Sequence, residues 1–304
     1  MELKGVVDEL VPVGVVGATS LVGGCVLRFF AEQNRKVCAF SRRPRLLDCS
    51  NRINWYVLGA GNQLDRTVIA APITHWVYVA PIWTLPAHLP FLLALGARRI
   101  VVISSTSRFT KAVGHGFADP DENQIAQKIA DCEESFQNWA QEYGIDWVIL
   151  RPTLVYGLGI DKNISEIARF IYRFRWFPLL GNALGLRQPI HAEDVALAAI
   201  AALTNEDIKA HAFNISGGET LSYTEMVSRV FLACETTRRF VRIPWILFRL
   251  AIAILRFIPR YRRWNSSMAA RMNEDLVFDG EDGRRQLGLS PRKFVLTDLD
   301  LPTM

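Results

Sequence analysis

Residues 13–23 read Val-Gly-Val-Val-Gly-Ala-Thr-Ser-Leu-Val-Gly. An apolar strand-like run passes straight into a turn bounded by Gly17 and Gly23, and a helical pattern opens at Ser20. Glycine in such a turn lets the backbone bend tightly and approach a pyrophosphate, which the amides and dipole of the following helix N-terminus stabilise. The usual central glycine is replaced by Ser20, a good N-cap, so the helix starts well while the closest backbone approach is relaxed. In this strand–turn–helix setting the residues that would hold a dinucleotide are Gly17, Thr19, Ser20, Leu21 and Gly23. The competing reading is a βα turn with a structural role only.

Outward from this turn, β-rich runs alternate with helical patterns. Strands are expected at Pro12–Val16, Lys36–Phe40, Ile53–Leu58, His75–Ala80, Arg99–Ser104 and Asp146–Leu150. They are nearly continuous in Val, Ile and aromatic residues, as strands buried on both faces should be. Helices are expected near Ser20–Asn34, Pro86–Leu95 and Asp121–Tyr143, the last stopping at Gly144. After Pro152 come helices near Asn163–Phe174, Glu193–Leu203, Tyr223–Cys234 and Trp245–Phe257, with a short strand at Ala212–Ile215. The pattern predicts an α/β protein, a Rossmann-type doubly wound parallel sheet with a smaller, mainly helical C-terminal substrate domain. The dinucleotide-binding part is assigned to residues 1–158, with 188–216 returning to it; residues 159–187 and 217–304 form the substrate or cap part.

Composition supports a folded chain: 304 residues, 50% hydrophobic and 21% charged, exclude disordered, collagen-like and mini-protein classes. A mean hydropathy of +0.14 raises the question of a membrane span. The longest stretch free of Asp, Glu, Lys and Arg, Thr67–Ala97, is broken by Pro72, Pro81, Pro86 and Pro90, so it reads as buried sheet and short helix. The N-terminus has acids before its apolar run and glycines within it, unlike a signal peptide. The five cysteines show no metal-ligand spacing and suit reduced, mostly buried thiols, hence a cytoplasmic protein and no metal.

Charge is informative in two places. The second strand ends in Phe40-Ser41-Arg42-Arg43-Pro44, where an NAD-selective site would carry an acid for the ribose diol. Ser41 and Arg42 offer a hydroxyl and a guanidinium suited to a 2′-phosphate, which favours NADP(H) over NAD(H); a solvated basic turn is the plain alternative. Between Arg238 and Arg263 lie eight arginines and no acid, and subtracting those eight from the net charge of +5 leaves −3 for the rest. They are interleaved with apolar residues rather than grouped on a recognition motif, so nucleic acid is a poor partner. Trp245–Ile258, too short to span a bilayer, reads as a cap helix or as a segment lying on an anionic membrane.

The chain resembles the extended short-chain dehydrogenase/reductase superfamily, of the NAD-dependent epimerase/dehydratase type whose members mostly act on nucleotide sugars. The resemblance rests on VGVVGATSLVG, GARRIVVISSTS, YGIDWVILRPTLVYGLG, RQPIHAEDVA, FNISGGE and LGLSPRKF, in the family's order from residue 13 to about 294. It implies that Ala80 and Ser104 border the cofactor, that Thr106 hydrogen-bonds the reacting substrate oxygen, and that Ser105 faces the substrate. It implies that Asn163 and Arg187 contact the nucleotide diphosphate; their ordinary alternatives are a helix N-cap and a surface charge. Asp194 would complement a helix N-terminus and has no catalytic role.

The family's lysine finds its counterpart in Lys128, which would hold the nicotinamide ribose. Position 124 is then Gln where the family has its proton-transferring tyrosine, and glutamine cannot do that work. Three readings stay open: dinucleotide binding without turnover, proton transfer by another group (His115, Lys111, Tyr156 or Asp121), or a different register for Lys128. Two further departures are the short link from Ala80-Pro81 to strand five and the absence of an acid in Tyr56-Val-Leu-Gly-Ala. The favoured function is NADP(H)-dependent epimerisation, dehydration or reduction of a nucleotide-activated sugar by hydride transfer. The rival is a non-catalytic dinucleotide-binding scaffold that docks a partner or a membrane surface. Peripheral membrane contact through residues 238–263 and a homodimer are the remaining partner readings.

Overall fold

The computed structural model describes residues 12–42, 52–58, 69, 71–109, 120–243 and 271–303. Its centre is a parallel sheet built in chain order from β1 (Val13–Val16), β2 (Val37–Ser41), β3 (Ile53–Val57), β4 (His75–Tyr78), β5 (Arg99–Ile103) and β6 (Asp146–Pro152). A short β7 (Val155–Tyr156), β8 (Phe177–Leu180), β9 (Leu186–Arg187) and β10 (Ile190–His191) follow, then β11 (His211–Ile215), β12 (Leu221–Ser222) and β13 (Phe240–Ile243). The seven sheet strands lie in the order β3-β2-β1-β4-β5-β6-β11. The order reverses between β1 and β4, and it is outside the carboxyl ends of such strands that α/β sheets bind ligands.

The helices are α1 (Leu21–Glu32), α2 (Leu85–Ala94), α3 (Pro120–Glu142), α4 (Ile164–Phe174), α5 (Ala192–Thr204), α6 (Tyr223–Ala233) and α7 (Glu281–Gln286). Helices α1 and α5 cover one sheet face through Val26, Phe30, Val195 and Ala199. On the other face α2 and α3 bury Leu89, Leu92, Ile129 and Phe136 against Trp76, Tyr78 and Phe40. Fully buried apolar side chains on both faces explain why the strand sequences lack polar alternation. A third core, with Tyr156, Ile167, Phe177, Met226, Phe231 and Phe294, joins α4, α6 and the chain's last segment.

The expected elements fall within a few residues of the observed ones, and the differences have causes. Strand β6 runs on to Pro152 because its last position pairs with Ile215 of β11, where a missing amide costs the ladder little. Helix α3 opens on Pro120, and ends at Gly144, whose φ of +64° provides the left-handed exit while the Ile145 amide reaches back to the Ala140 carbonyl. The β8–β13 pair and α7 had no counterpart in the sequence reading, and α7 with Leu287 packs against β11 rather than within the smaller half. The helix expected at Trp245–Phe257 lies outside the described residues. Among the described residues, no helix is long and apolar enough to cross a membrane. Cys25 and Cys38 are buried and free, and burial pushes both thiols up to about 11, so neither is a thiolate at neutral pH.

Candidate functional site

The β1–α1 turn is shaped by steric exclusion. Gly17 has φ +83°, and an ideal Cβ there would fall 2.5 Å from the Ala80 amide nitrogen at the end of β4. At Gly23 a Cβ would fall 2.4 Å from the Gly17 carbonyl oxygen. Both positions therefore demand glycine, one for conformation and one for close approach of helix to turn. Ser20 is extended, with φ −74° and ψ 165°, so its backbone has no need of glycine; its hydroxyl accepts a hydrogen bond from the Gly23 amide at 3.1 Å. The Gly17 and Ala18 amides are spent on the Phe40 carbonyl, and that of Ser20 on the Gly17 carbonyl. The amides of Leu21 and Val22, the first two of α1, have no intrahelical partner available and lie at the positive end of the helix dipole. Free amides at a helix N-terminus suit a dinucleotide pyrophosphate, and Thr19 in the turn is exposed. Ser41 closes β2 as a buried residue whose carbonyl accepts from Leu58, and Arg42 beyond it is exposed.

Along the same edge, at the end of β5, Ser104, Ser105 and Thr106 lead into a 3-10 turn, Thr106–Phe109. Thr106 is buried and its Oγ1 donates to the Pro152 carbonyl at 3.2 Å, so its lone pairs are left for an incoming donor. Ser105 Oγ accepts from the Ser107 amide at 3.1 Å and donates to Ser107 Oγ at 3.0 Å, which fixes the turn. Ser104 Oγ donates to Glu133 Oε1 at 2.5 Å.

Glu133 is the group the sequence reading missed. It is fully buried in α3 and receives Ser104, both the Nε and Nη2 of Arg151 (2.6 Å from Nη2 to Oε2), and Arg108 Nη1. A buried carboxylate needs this many donors to remain charged. The signal was present in the sequence: the inward stripe of α3 runs Ala126, Ile129, Glu133, Phe136 and Ala140, with an acid at its centre.

That stripe also locates Lys128 and Gln124. Lys128 lies one residue off it, exposed, with its ammonium 5.6 Å from the centre of the Trp83 ring, and Gln124 is exposed as well. Trp83 sits in the turn Ile82–Thr84 that follows Ala80. In that turn Thr84 Oγ1 donates to the Pro81 carbonyl at 2.7 Å and lies 2.7 Å from the Tyr78 hydroxyl, which is also 2.8 Å from His88 Nδ1.

Of the alternative proton carriers, Lys111, His115 and the Asp121 side chain lie outside the described residues. Tyr156 is fully buried, edge-on to His191 and Phe294, and burial drives its hydroxyl far above the ordinary tyrosine value, so it stays protonated.

The two phosphate candidates both differ from their ordinary alternatives of a surface charge and a capping side chain. Arg187 is no surface charge: it is buried, and its guanidinium donates to the carbonyls of Leu186 and Glu274, each at 2.7 Å, and of Arg271. Burial lowers its pKa. As it stands, the fork ties β9 to residues 271–276. Asn163 occupies the N-cap position of α4 without capping it; its side chain donates to the Val155 carbonyl at 3.2 Å. The cap is supplied by Asp161, buried, which accepts from the Asn163 and Ser165 amides and from Ser165 Oγ. Asp194 stands in the first turn of α5 and accepts from the Arg292 amide at 3.0 Å and its Nε at 3.1 Å. Next to it His191 caps α5 through Nδ1, so its Nε2 carries the proton and donates to Asp300 at 3.0 Å.

A parallel sheet that reverses beside β1, with a glycine turn at β1 and a hydroxyl-bearing turn at β5, defines a Rossmann-type fold. Residues 90–216 match the model of the NAD dependent epimerase/dehydratase family. An uncharacterised protein of Sinorhizobium fredii, y4nG, is 27% identical over 210 residues, 66% of this chain and 50% of the relative. The UDP-glucose 4-epimerase of Vibrio cholerae is 22% identical over 161 residues, 51% of this chain and 49% of the relative. The chain thus spans about half the length of the curated relatives it matches. Among solved structures, MoeE5 in complex with UDP-glucose and NAD aligns with a TM-score of 0.64 at 20% identity, over 93% of this chain and 94% of that one.

Proposed function

We propose that the protein binds a nicotinamide dinucleotide at the Gly17–Gly23 turn and acts on a nucleotide-activated sugar, by epimerisation, dehydration or reduction at a ring carbon. The observation that carries this reading is the pair of glycines whose absent Cβ atoms open the turn beside Ala80, one strand away from Thr106. Gly17, Thr19, Ser20, Leu21 and Gly23 would hold the pyrophosphate. Ser41 and Arg42 would take a 2′-phosphate, so the cofactor is NADP(H) in preference to NAD(H). When bound, a nicotinamide supplies hydride transfer.

The chain's own residues supply position and polarity. With its proton engaged on Pro152, the Thr106 hydroxyl accepts from a substrate hydroxyl; to polarise a keto oxygen it must turn away from that carbonyl. Glu133 holds Ser104 and Arg108 and thereby the turn that carries Thr106. Lys128 would reach the nicotinamide ribose after leaving the Trp83 ring, and Ser105, Asn163 and Arg187 would border the sugar nucleotide. Support for that substrate class comes from the nucleotide sugar bound to MoeE5 and the epimerase named among the relatives.

Calorimetric titration of the cofactor-stripped protein with NADPH and NADH tests the first half: tighter NADPH binding is expected, and equal or absent binding of both removes the 2′-phosphate assignment. Turnover of UDP-sugars by the loaded protein tests the second. Thr106→Ala should lower that turnover by orders of magnitude with cofactor affinity nearly unchanged. Undiminished turnover would overturn the role of Thr106, and dinucleotide binding with no turnover of any nucleotide sugar would favour a scaffold.

A further inference from the structure

The edge formed by the end of α4, β8 and β13 has a composition unlike the rest of the molecule. Residues 167–180 and 236–243 contain Arg169, Arg173, Arg175, Arg238, Arg239 and Arg242 and no acid. Arg169 is bound to Glu166 on its own helix. Phe170 lies 4.6 Å from Phe174 and 5.5 Å from Trp176, centre to centre; Arg173 sits over the Phe174 ring at 5.4 Å and Arg238 over the Phe240 ring at 5.9 Å.

The pieces are contiguous. Pairing of β8 with β13 sets Phe177 beside Phe240, and the Phe177 amide donates to the Arg239 carbonyl at 2.9 Å. Arg175 Nη1 donates to Thr236 Oγ1 at 2.9 Å, which ties the start of the second segment to the end of the first. Phe174 and Val241 are each 46% exposed, and Arg173, Arg239 and Arg242 on the same elements are exposed as well. Glu166, Glu235 and Asp298 are acids at its border.

An exposed aromatic ring on an edge rich in exposed guanidiniums matches the interface of an anionic bilayer, where rings sit at head-group depth and arginines meet phosphates. The chain runs on from β13 into residues that, as far as Arg263, carry arginine as their only charge and are otherwise mostly apolar. A discrete acidic protein site would need only part of that charge; a laterally extended anionic surface suits all of it. We infer that the α4–β8–β13 edge docks the protein on a lipid surface bearing anionic head groups. This goes beyond the proposed dinucleotide chemistry and does not depend on it.

The test is flotation of the full chain with phosphatidylcholine vesicles, with and without phosphatidylglycerol, at low and high salt. Binding is expected only with the anionic lipid, and weakening with salt. Each arginine at such a surface is worth about fivefold in partitioning. Arg173→Glu with Arg239→Glu should therefore weaken binding at least about tenfold, and Phe174→Ser should weaken it on the same vesicles. A control reversal, Arg284→Glu with Arg285→Glu on α7, should leave binding unchanged, and thermal melts of all variants identify any that fail to fold.

No binding, equal binding to neutral vesicles, or full binding by the Arg173/Arg239 variant would each overturn the inference. So would a concentration-dependent dimer in sedimentation that Phe174→Ser abolishes, since the edge would then be covered by a second copy.

Discussion

The turn at Gly17–Gly23 and the turn at Ser104–Phe109 stand on the same sheet edge, separated by one strand, and they are made in opposite ways. The first is a backbone object. Its shape follows from two missing Cβ atoms and a serine cap, and the groups it offers a ligand are amides. The second is a side-chain object, held by the fully buried Glu133, which binds the partly buried Ser104, Arg108 and Arg151. A backbone site tolerates replacement wherever φ and ψ allow, whereas a side-chain site depends on every member because a buried charge without partners is costly.

The largest effect should come from the side-chain site. Glu133→Ala strands two guanidiniums beside an emptied pocket and should lower stability by about 3–5 kcal/mol, read by urea denaturation. Glu133→Gln keeps the shape and some hydrogen bonds and should cost less. If both variants unfold with wild-type midpoints, the buried cluster is not what holds the turn.

Next comes the backbone site. Gly17→Ala must place a methyl group on the Ala80 amide at a positive φ. A stability loss of about 1–3 kcal/mol is expected, with dinucleotide affinity reduced far more than in any change at Ser20. A variant that binds NADPH as the wild type does would show that the turn is not the pyrophosphate site.

Asp300 extends the comparison to a second buried carboxylate. Burial alone would raise its pKa, but the hydrogen bonds from His191 and from the Thr297 and Leu158 amides outweigh that and hold it well below the usual carboxylate range. A depressed native pKa stabilises the fold above the unfolded value, and that contribution is lost as pH falls through the native one. Asp300→Asn should therefore destabilise the protein at neutral pH by about 1–3 kcal/mol, and the gap to wild type should shrink as pH drops below about 4. A gap that stays constant into acid would show that the loss is one of packing, not of charge.

The same contrast explains what could be read from the chain. The parallel sheet, its helices and the glycine turn follow from local rules, namely strand hydrophobicity, a cap at Ser20 and a stop at Gly144, each visible within a few residues. The stripe of α3 marks Glu133 as an inward acid but not its partners Ser104, Arg108 and Arg151, and Arg187 meets the carbonyls of residues 271–274 from more than 80 positions away, so no local pattern announces those pairings. Lys128 shows the limit most clearly. Resemblance to the family singled it out, and the helix period turns the buried face through Ile129 and Glu133 and leaves Lys128 on Trp83. Arg187 shows the converse, a charge at a loop end that tertiary packing buries.

The smallest effect should fall where the sequence departs from the usual pattern yet the backbone does not. Ser20 has the extended conformation of an N-cap, so glycine there gains no freedom that the native turn uses. Ser20→Gly should cost only a few tenths of a kcal/mol, because glycine is itself a tolerated cap, whereas Ser20→Ala, which removes the acceptor for the Gly23 amide, should cost about 1 kcal/mol. Thermal melts separate the two. Calorimetry then asks whether the serine crowds the ligand: if Ser20→Gly tightens NADPH binding tenfold or more, the hydroxyl obstructs the pyrophosphate, and the turn is a compromise between capping the helix and meeting the cofactor. If affinity is unchanged, the serine has taken over the glycine's place without loss, as a site made of amides allows.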